Sequence, residues 1–154
     1  MLRVLAIQER CYTDIVPESH ASLEAKLLAS PSTCFIACLD DQIVGYIVSV
    51  PWTLGSPPAL NSPECRIPAS SDCLYLHDLA IDPDARKCGA GAKLVEACMA
   101  CLATLDLQQA SLIAIQASSP YWQRFGFRAV ELGAAMRSKL ATYGENVVYM
   151  EYAA

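Results

Sequence analysis

The stretch from residue 73 to residue 115 constrains the fold of this chain more than any other. Residues 73–81, Cys-Leu-Tyr-Leu-His-Asp-Leu-Ala-Ile, form a short apolar run rich in strand formers, and Asp82-Pro83 ends it. A helix of about fifteen residues is predicted from Ala90, because Leu94, Val95, Cys98, Cys101, Leu102 and Leu105 recur on one face. Residues 111–115 are apolar on both faces, as in a central strand. Strand, helix and strand in this order imply a crossover between neighbouring strands of a sheet covered by helices.

The flanking segments extend that sheet. Residues 2–7 read as a short first strand, followed by a helical stretch from Gln8 and a second after Pro17, where Leu23, Leu27 and Leu28 recur at helical spacing. Residues 33–39 and 42–50 read as strands joined at Asp40-Asp41 in a hairpin. Residues 51–72 hold five of the nine prolines and read as a long loop, a kind of segment that often carries function. Pro120 suits a first helical turn. Residues 127–131 and 146–152 read as closing strands, with a helix at 134–142 between them. The expectation is a single α/β domain over residues 1–154. Its mixed, mostly antiparallel sheet has about six or seven strands, flanked by four or five helices.

Composition narrows the function classes. A 154-residue chain that is 54% hydrophobic fills a core. Its net charge of −5 disfavours nucleic-acid binding. The longest stretch without charge, 42–63, is broken by Pro51, Pro57 and Pro58, so no membrane helix is expected there. No secretory signal is visible at the N-terminus, and the expected location is cytoplasmic. Only Cys98 and Cys101 among the eight cysteines form a C-x-x-C pair, and they fall inside a predicted helix. Buried thiols are therefore expected rather than a metal site.

The turn before the long helix carries the chemistry. Gly89, Ala90, Gly91 and Ala92 keep side chains away from the first helical amides, which lack internal partners and lie at the positive end of the helix dipole. Arg86 and Lys87 add positive charge. A pyrophosphate suits such a place, although glycines that merely let the chain bend give the same pattern. Neither G-x-x-x-x-G-K-[ST] nor a G-x-G-x-x-G after the first strand is present.

Arg86-x-x-Gly89-x-Gly91, directly after Leu76-His77-Asp78-Leu79-Ala80-Ile81, resembles the R/Q-x-x-G-x-G/A signature of the GNAT superfamily of N-acetyltransferases. Pro120-Tyr121-Trp122-Gln123-Arg124-Phe125-Gly126-Phe127 is similar to the family's later Y-x-x-x-G-F element. Asp40 to Gly45, as D-x-x-I-V-G, and Tyr143-Gly144-Glu145-Asn146 agree with it. The resemblance implies acetyl-CoA as co-substrate, with its pyrophosphate on the amides of Lys87, Cys88, Gly89, Ala90, Gly91 and Ala92. The pantetheine arm would run beside Leu79, Ala80 and Ile81 between two splayed strands. A backbone N–H near Leu79 or Ala80 would polarise the acetyl carbonyl, and Ser118 and Trp122 would lie near the cofactor.

Acetyl transfer needs a neutral amine, yet an alkyl amine of pKa near ~10.4 is mostly protonated at neutral pH. Deprotonation by three or more units costs roughly 4–5 kcal/mol, which a general base lowers. Of the two histidines, His77 stands in the strand leading to the turn, and an imidazole suits the task. The segment Tyr75-Leu76-His77-Asp78-Leu79-Ala80 resembles the arylalkylamine branch of the family, where histidines in this strand act as base; Tyr75 stands here in place of the first. Tyr143 and Tyr121 are candidate proton donors, with Tyr75 or water also open. Cys88 as an acyl-enzyme nucleophile is disfavoured by its place in the phosphate turn. The acceptor, expected to be a small amine, would meet Glu18, Glu24, Tyr12 and Trp52. A peptide N-terminus as acceptor and a non-catalytic acyl-CoA sensor remain open alternatives, as do monomer and homodimer.

Overall fold

The computed structural model describes residues 1–12, 15–131, 133–140 and 147–153. The chain opens with helices α1 (Leu2–Cys11) and α2 (His20–Ala29), then strands β1 (Phe35–Leu39), β2 (Gln42–Trp52) and β3 (Cys73–Ile81). Helix α3 (Ala90–Thr104), strand β4 (Gln109–Ala114) and helix α4 (Ser119–Gln123) follow, then β5 (Arg128–Ala129), α5 (Ala134–Leu140) and β6 (Val148–Ala153). The described strands form one sheet in the order β1-β2-β3-β4-β6-β5. Only the β3–β4 pair is parallel; the other pairings are antiparallel.

Residues 2–7 are not a strand. They lie within α1, because Val4, Ile7 and Gln8 turn inward at helical spacing. This leaves six strands among the described residues rather than the seven counted along the sequence. Arg3 and Arg10, two turns apart on α1, clamp the Asp82 carboxylate at 2.6 and 2.5 Å. That carboxylate also accepts the Asp84 N–H at 3.1 Å, so α1 is tied to the turn that follows β3.

Helix α2 corrects a second expectation. Leu23 is buried, but Leu27 and Leu28 are exposed, and the inward face is Ser22, Leu23 and Lys26. A buried lysine overrides the apolar stripe because it has a buried carboxylate to meet, as described below. At the β1–β2 turn Asp40 and Asp41 both adopt positive φ, 47° and 61°, which fits a two-residue hairpin.

Two cores sandwich the sheet. One, under α3 and α4, contains Ile47, Leu74, Leu76, Leu94, Val95, Cys98, Leu112, Trp122, Phe127 and Met150. The other, under α1 and α2, contains Val4, Ile7, Leu23, Tyr46, Val48 and Ala80. Cys73 and Cys98 are buried, Cys38 and Cys88 exposed, and all eight cysteines are free thiols. No helix among the described residues is long and apolar enough to cross a membrane.

Candidate active site

Strand β3 is interrupted once. Val48 pairs with Asp78 but Ser49 pairs with Leu76, so His77 is the extra residue of a bulge. The bulge divides the face that period-two alternation gives to Tyr75, His77, Leu79 and Ile81. Leu79 and Ile81 pack with the α3 core, whereas His77 and Asp78 both reach partners on the α1–α2 side, Glu18, Tyr12 and Tyr46.

The parallel pairing of β3 with β4 lasts only from Leu74–Ala110 to Leu76–Leu112. Beyond it the strands part and leave a cavity of about 670 Å³. Asp82 N–H bonds back to Val44 of β2, at 2.8 Å. By alternation the even-numbered neighbour Ala80 also faces β2, and Leu79 and Ile81 face the gap. Their carbonyls accept side chains from α1 accordingly: Tyr12 Oη donates to Leu79 O at 3.4 Å and Cys11 Sγ to Ile81 O at 3.2 Å. The N–H groups of Leu79 and Ile81 point the same way, into the gap.

The glycine-bearing turn before α3 forms the opposite wall. Gly89 caps α3 with φ +83°, and no side chain caps the helix. The helix's first hydrogen bond runs from Lys93 N–H to Gly89 O at 3.2 Å, leaving the amides of Ala90, Gly91 and Ala92 bare. A Cβ on Gly91 would stand 2.8 Å from Tyr121 Oη, so a larger residue here has to displace the Tyr121 ring. Lys87 itself adopts φ +74°. Arg86, Lys87 and Arg124 line the cavity and give this end its positive charge.

The structure brings most of the expected residues together. His77, Leu79, Ala80, Ile81, Arg86, Lys87, Gly89, Ala90, Gly91, Ala92, Ser118, Tyr121 and Trp122 all border the cavity. Cys88 is exposed and outside that lining. Trp122 is a core residue, packed edge-on to Phe127, as well as a cavity wall. Tyr143 lies outside the described residues. Tyr121 Oη is buried without a hydrogen-bond partner, and burial pushes the phenol up, against the nearby Arg124 charge.

The acceptor side differs from the expectation. Glu18 is not free to hold an ammonium: it pairs with His77 Nε2 at 2.7 Å and Lys26 Nζ at 3.2 Å. Burial pushes its carboxyl up, but the His77 hydrogen bond and the positive charges around it outweigh that and hold it at about 2. Glu24 sits at the surface, 3.9 Å from His20. Trp52 is spent on an indole N–H bond to Ser56 O at 2.6 Å. Of the four, Tyr12 alone lines the cavity. Its hydroxyl also donates to Asp78, which accepts Tyr46 Oη at 2.6 Å on its other oxygen. Burial raises the Asp78 carboxyl, against those two donors. His77 Nδ1 is buried and has no partner. Lys26, Asp78 and Tyr46 were not singled out in the sequence, where a lysine on an amphipathic helix reads as solvated.

An open sheet with one parallel pair parts beside a glycine-opened helix whose bare amides suit a phosphate. The profile of the acetyltransferase (GNAT) family matches residues 1–127, and the chain belongs to that family. Among solved structures it is similar to the loading GNATL domain of CurA from Lyngbya majuscula, with TM-score 0.78 and 16% identity over 99% of this chain and 92% of that one. It is also similar to Ard1 from Thermoplasma volcanium, with TM-score 0.69 and 12% identity over 99% and 91%. A third similar structure is the GphF GNAT-like decarboxylase in complex with isobutyryl-CoA, with TM-score 0.69 and 16% identity over 96% and 91%. No curated protein sequence matches it. Acetyl-CoA is the co-substrate that this family membership brings.

Proposed function

We propose that the protein transfers an acetyl group from acetyl-CoA to a small primary amine by direct attack, with His77 as the general base. The observation that carries this reading is that His77 lines the cavity and keeps its buried Nδ1 unpartnered. A polar atom so placed costs free energy unless a ligand group meets it.

The bare amides of Ala90, Gly91 and Ala92 hold the pyrophosphate, helped by Arg86 and Lys87. The edge amides of Leu79 and Ile81 hold the pantetheine and the acetyl carbonyl, Leu79 N–H facing the oxygen where charge develops. The amine nitrogen bonds to the carbonyl carbon and gives a proton to His77 Nδ1. The carbon–sulfur bond then breaks, and the thiolate takes a proton. Tyr121 suits that last step, since its hydroxyl is protonated and unspent. The free site near His77 offers acceptors, Tyr12 and the Leu79 carbonyl among them, which suits an amine donor.

A thermal melt with and without acetyl-CoA tests the donor. At a hundredfold excess over Kd, binding adds ~2.7 kcal/mol, or roughly 5–11 °C at this chain length. Gly89→Trp abolishes the shift, because the indole covers the amides and the φ of +83° strains any side chain at this turn. Free-thiol release is then followed with an arylalkylamine, a polyamine and a peptide N-terminus. Release with a small amine is expected. A shift without turnover on any amine leaves an acyl-CoA-binding sensor, and turnover on the peptide alone gives an N-terminal acetyltransferase.

A further inference from the structure

We propose that Glu18 is the positioning residue of His77: its carboxylate holds the ring as the Nε2–H tautomer and leaves Nδ1 bare on a residue that lines the cavity. This rests on the reading of His77 as the base.

The geometry is closed on every side but one. Glu18 Oε2 meets His77 Nε2 at 2.7 Å and Lys26 Nζ at 3.2 Å. Its other oxygen accepts the Asn61 N–H at 2.5 Å and Lys26 Nζ at 3.4 Å. Gln8 Nε2 donates to the Glu18 carbonyl at 2.8 Å and fixes the backbone from α1. The three side chains of Glu18, His77 and Lys26 are 7%, 3% and 2% exposed. Lys26 is held in turn by Ser22 Oγ at 2.7 Å and the Ser22 carbonyl at 3.3 Å.

Chemistry assigns the roles. A carboxylate only accepts, so the ring nitrogen facing it carries hydrogen. In the neutral ring the single hydrogen goes to the nitrogen that meets the carboxylate, and Lys26 faces the same oxygen with its charge. The hydrogen therefore sits on Nε2, and Nδ1 keeps its lone pair. The neighbouring acid, Asp78, does not compete for the ring, because both its oxygens are taken by Tyr12 and Tyr46. Asn61 belongs to the proline-rich loop, whose Asn61 Oδ1 also accepts Ser19 N–H at 2.8 Å. The same carboxylate that orients the base thus fastens the loop beside it.

The test is long-range proton–nitrogen NMR of the imidazole at about pH 8.5, where an ordinary histidine is neutral. The background is His20→Gln, since the chain has two histidines. The parent spectrum is expected to show one tautomer, with hydrogen on Nε2. Glu18→Leu with Lys26→Met removes acceptor and counter-charge together and keeps the volume apolar, a replacement folds usually tolerate. In that variant the ring is expected to become a mixture of tautomers. With whichever amine turns over, kcat falls between about 10²- and 10⁴-fold, while the KM for acetyl-CoA is unchanged. A parent ring with hydrogen on Nδ1 overturns the proposal, as does an unchanged tautomer in a folded variant. The spectra need no amine. Failure of every amine to react therefore sinks the transferase reading alone, and the tautomer decides the role of Glu18 by itself.

Discussion

The buried Glu18 makes the stability of this protein depend on pH in a definable way. Its folded-state carboxyl lies at about 2 against an ordinary 4.5. A carboxyl depressed by folding contributes stability that is fully present above its ordinary value and fades as pH falls through the folded one. The complete contribution is roughly 3 kcal/mol, from about 2.5 units at ~1.36 kcal/mol each. By about pH 3.5 the unfolded chain is mostly protonated at this site while the folded one is not, and roughly 1.4 kcal/mol has gone. For a chain of this length that amounts to about 3–6 °C in Tm. Other carboxyls titrate over the same range, so the measurement is a difference. Urea unfolding of the parent and of Glu18→Leu/Lys26→Met is compared at about pH 6 and 3.5; titrations away from the Glu18, His77 and Lys26 group cancel. The parent is expected to lose about 1.4 kcal/mol more than the variant over that interval. A stability difference constant with pH refutes the argument, because it means Glu18 titrates alike in the folded and unfolded chains.

Two further outcomes follow from close contacts. Gly45→Ala places a Cβ 2.4 Å from Ile81 Cδ1 and 3.0 Å from the Ala80 carbonyl, and the backbone atom cannot step aside. A loss of about 1–3 kcal/mol in urea unfolding is expected, with weaker acetyl-CoA binding because Ile81 lines the cavity. Tyr121→Phe removes a buried hydroxyl that has no partner. The free protein is expected to melt about 2–4 °C higher, the gain from about 1 kcal/mol of relieved desolvation, while kcat falls at least about tenfold. An unchanged kcat assigns the proton to another donor.

What could be read in advance was local. The strand at Cys73–Ile81, the turn, the helix at Ala90–Thr104 and the Pro120 turn each announce themselves within a few neighbouring residues. The phosphate wall of the cavity follows from them, since bare amides need only small residues and a helix start. Residues 2–7 misled because four apolar residues in a row at Val4–Ile7 satisfy a strand template, and only the inward turn of Gln8 completes the helical one. The acceptor side depends on pairings 8, 59 and 66 residues apart, Glu18 with Lys26, Glu18 with His77 and Tyr12 with Asp78. A short window along the chain contains only the first of them, and the other two lie beyond any such window.

The bulge explains why these long-range pairs converge at one place. Without it, alternation gives His77 and Asp78 to opposite faces of the sheet. One extra residue puts both on the α1–α2 side and still returns Leu79 and Ile81 to the α3 core. The proposed base is thereby set two residues from the Leu79 amide that the same reading aims at the acetyl carbonyl, and the edge of Leu79 and Ile81 beside the gap stays regular. The charges around it also separate by element. Arg86 and Lys87 serve the phosphate end from the turn, whereas Lys26 approaches from α2 and is neutralised within the Glu18 pair. An anionic acceptor near His77 would find that cation already taken, which is a physical reason to expect an amine without a carboxylate.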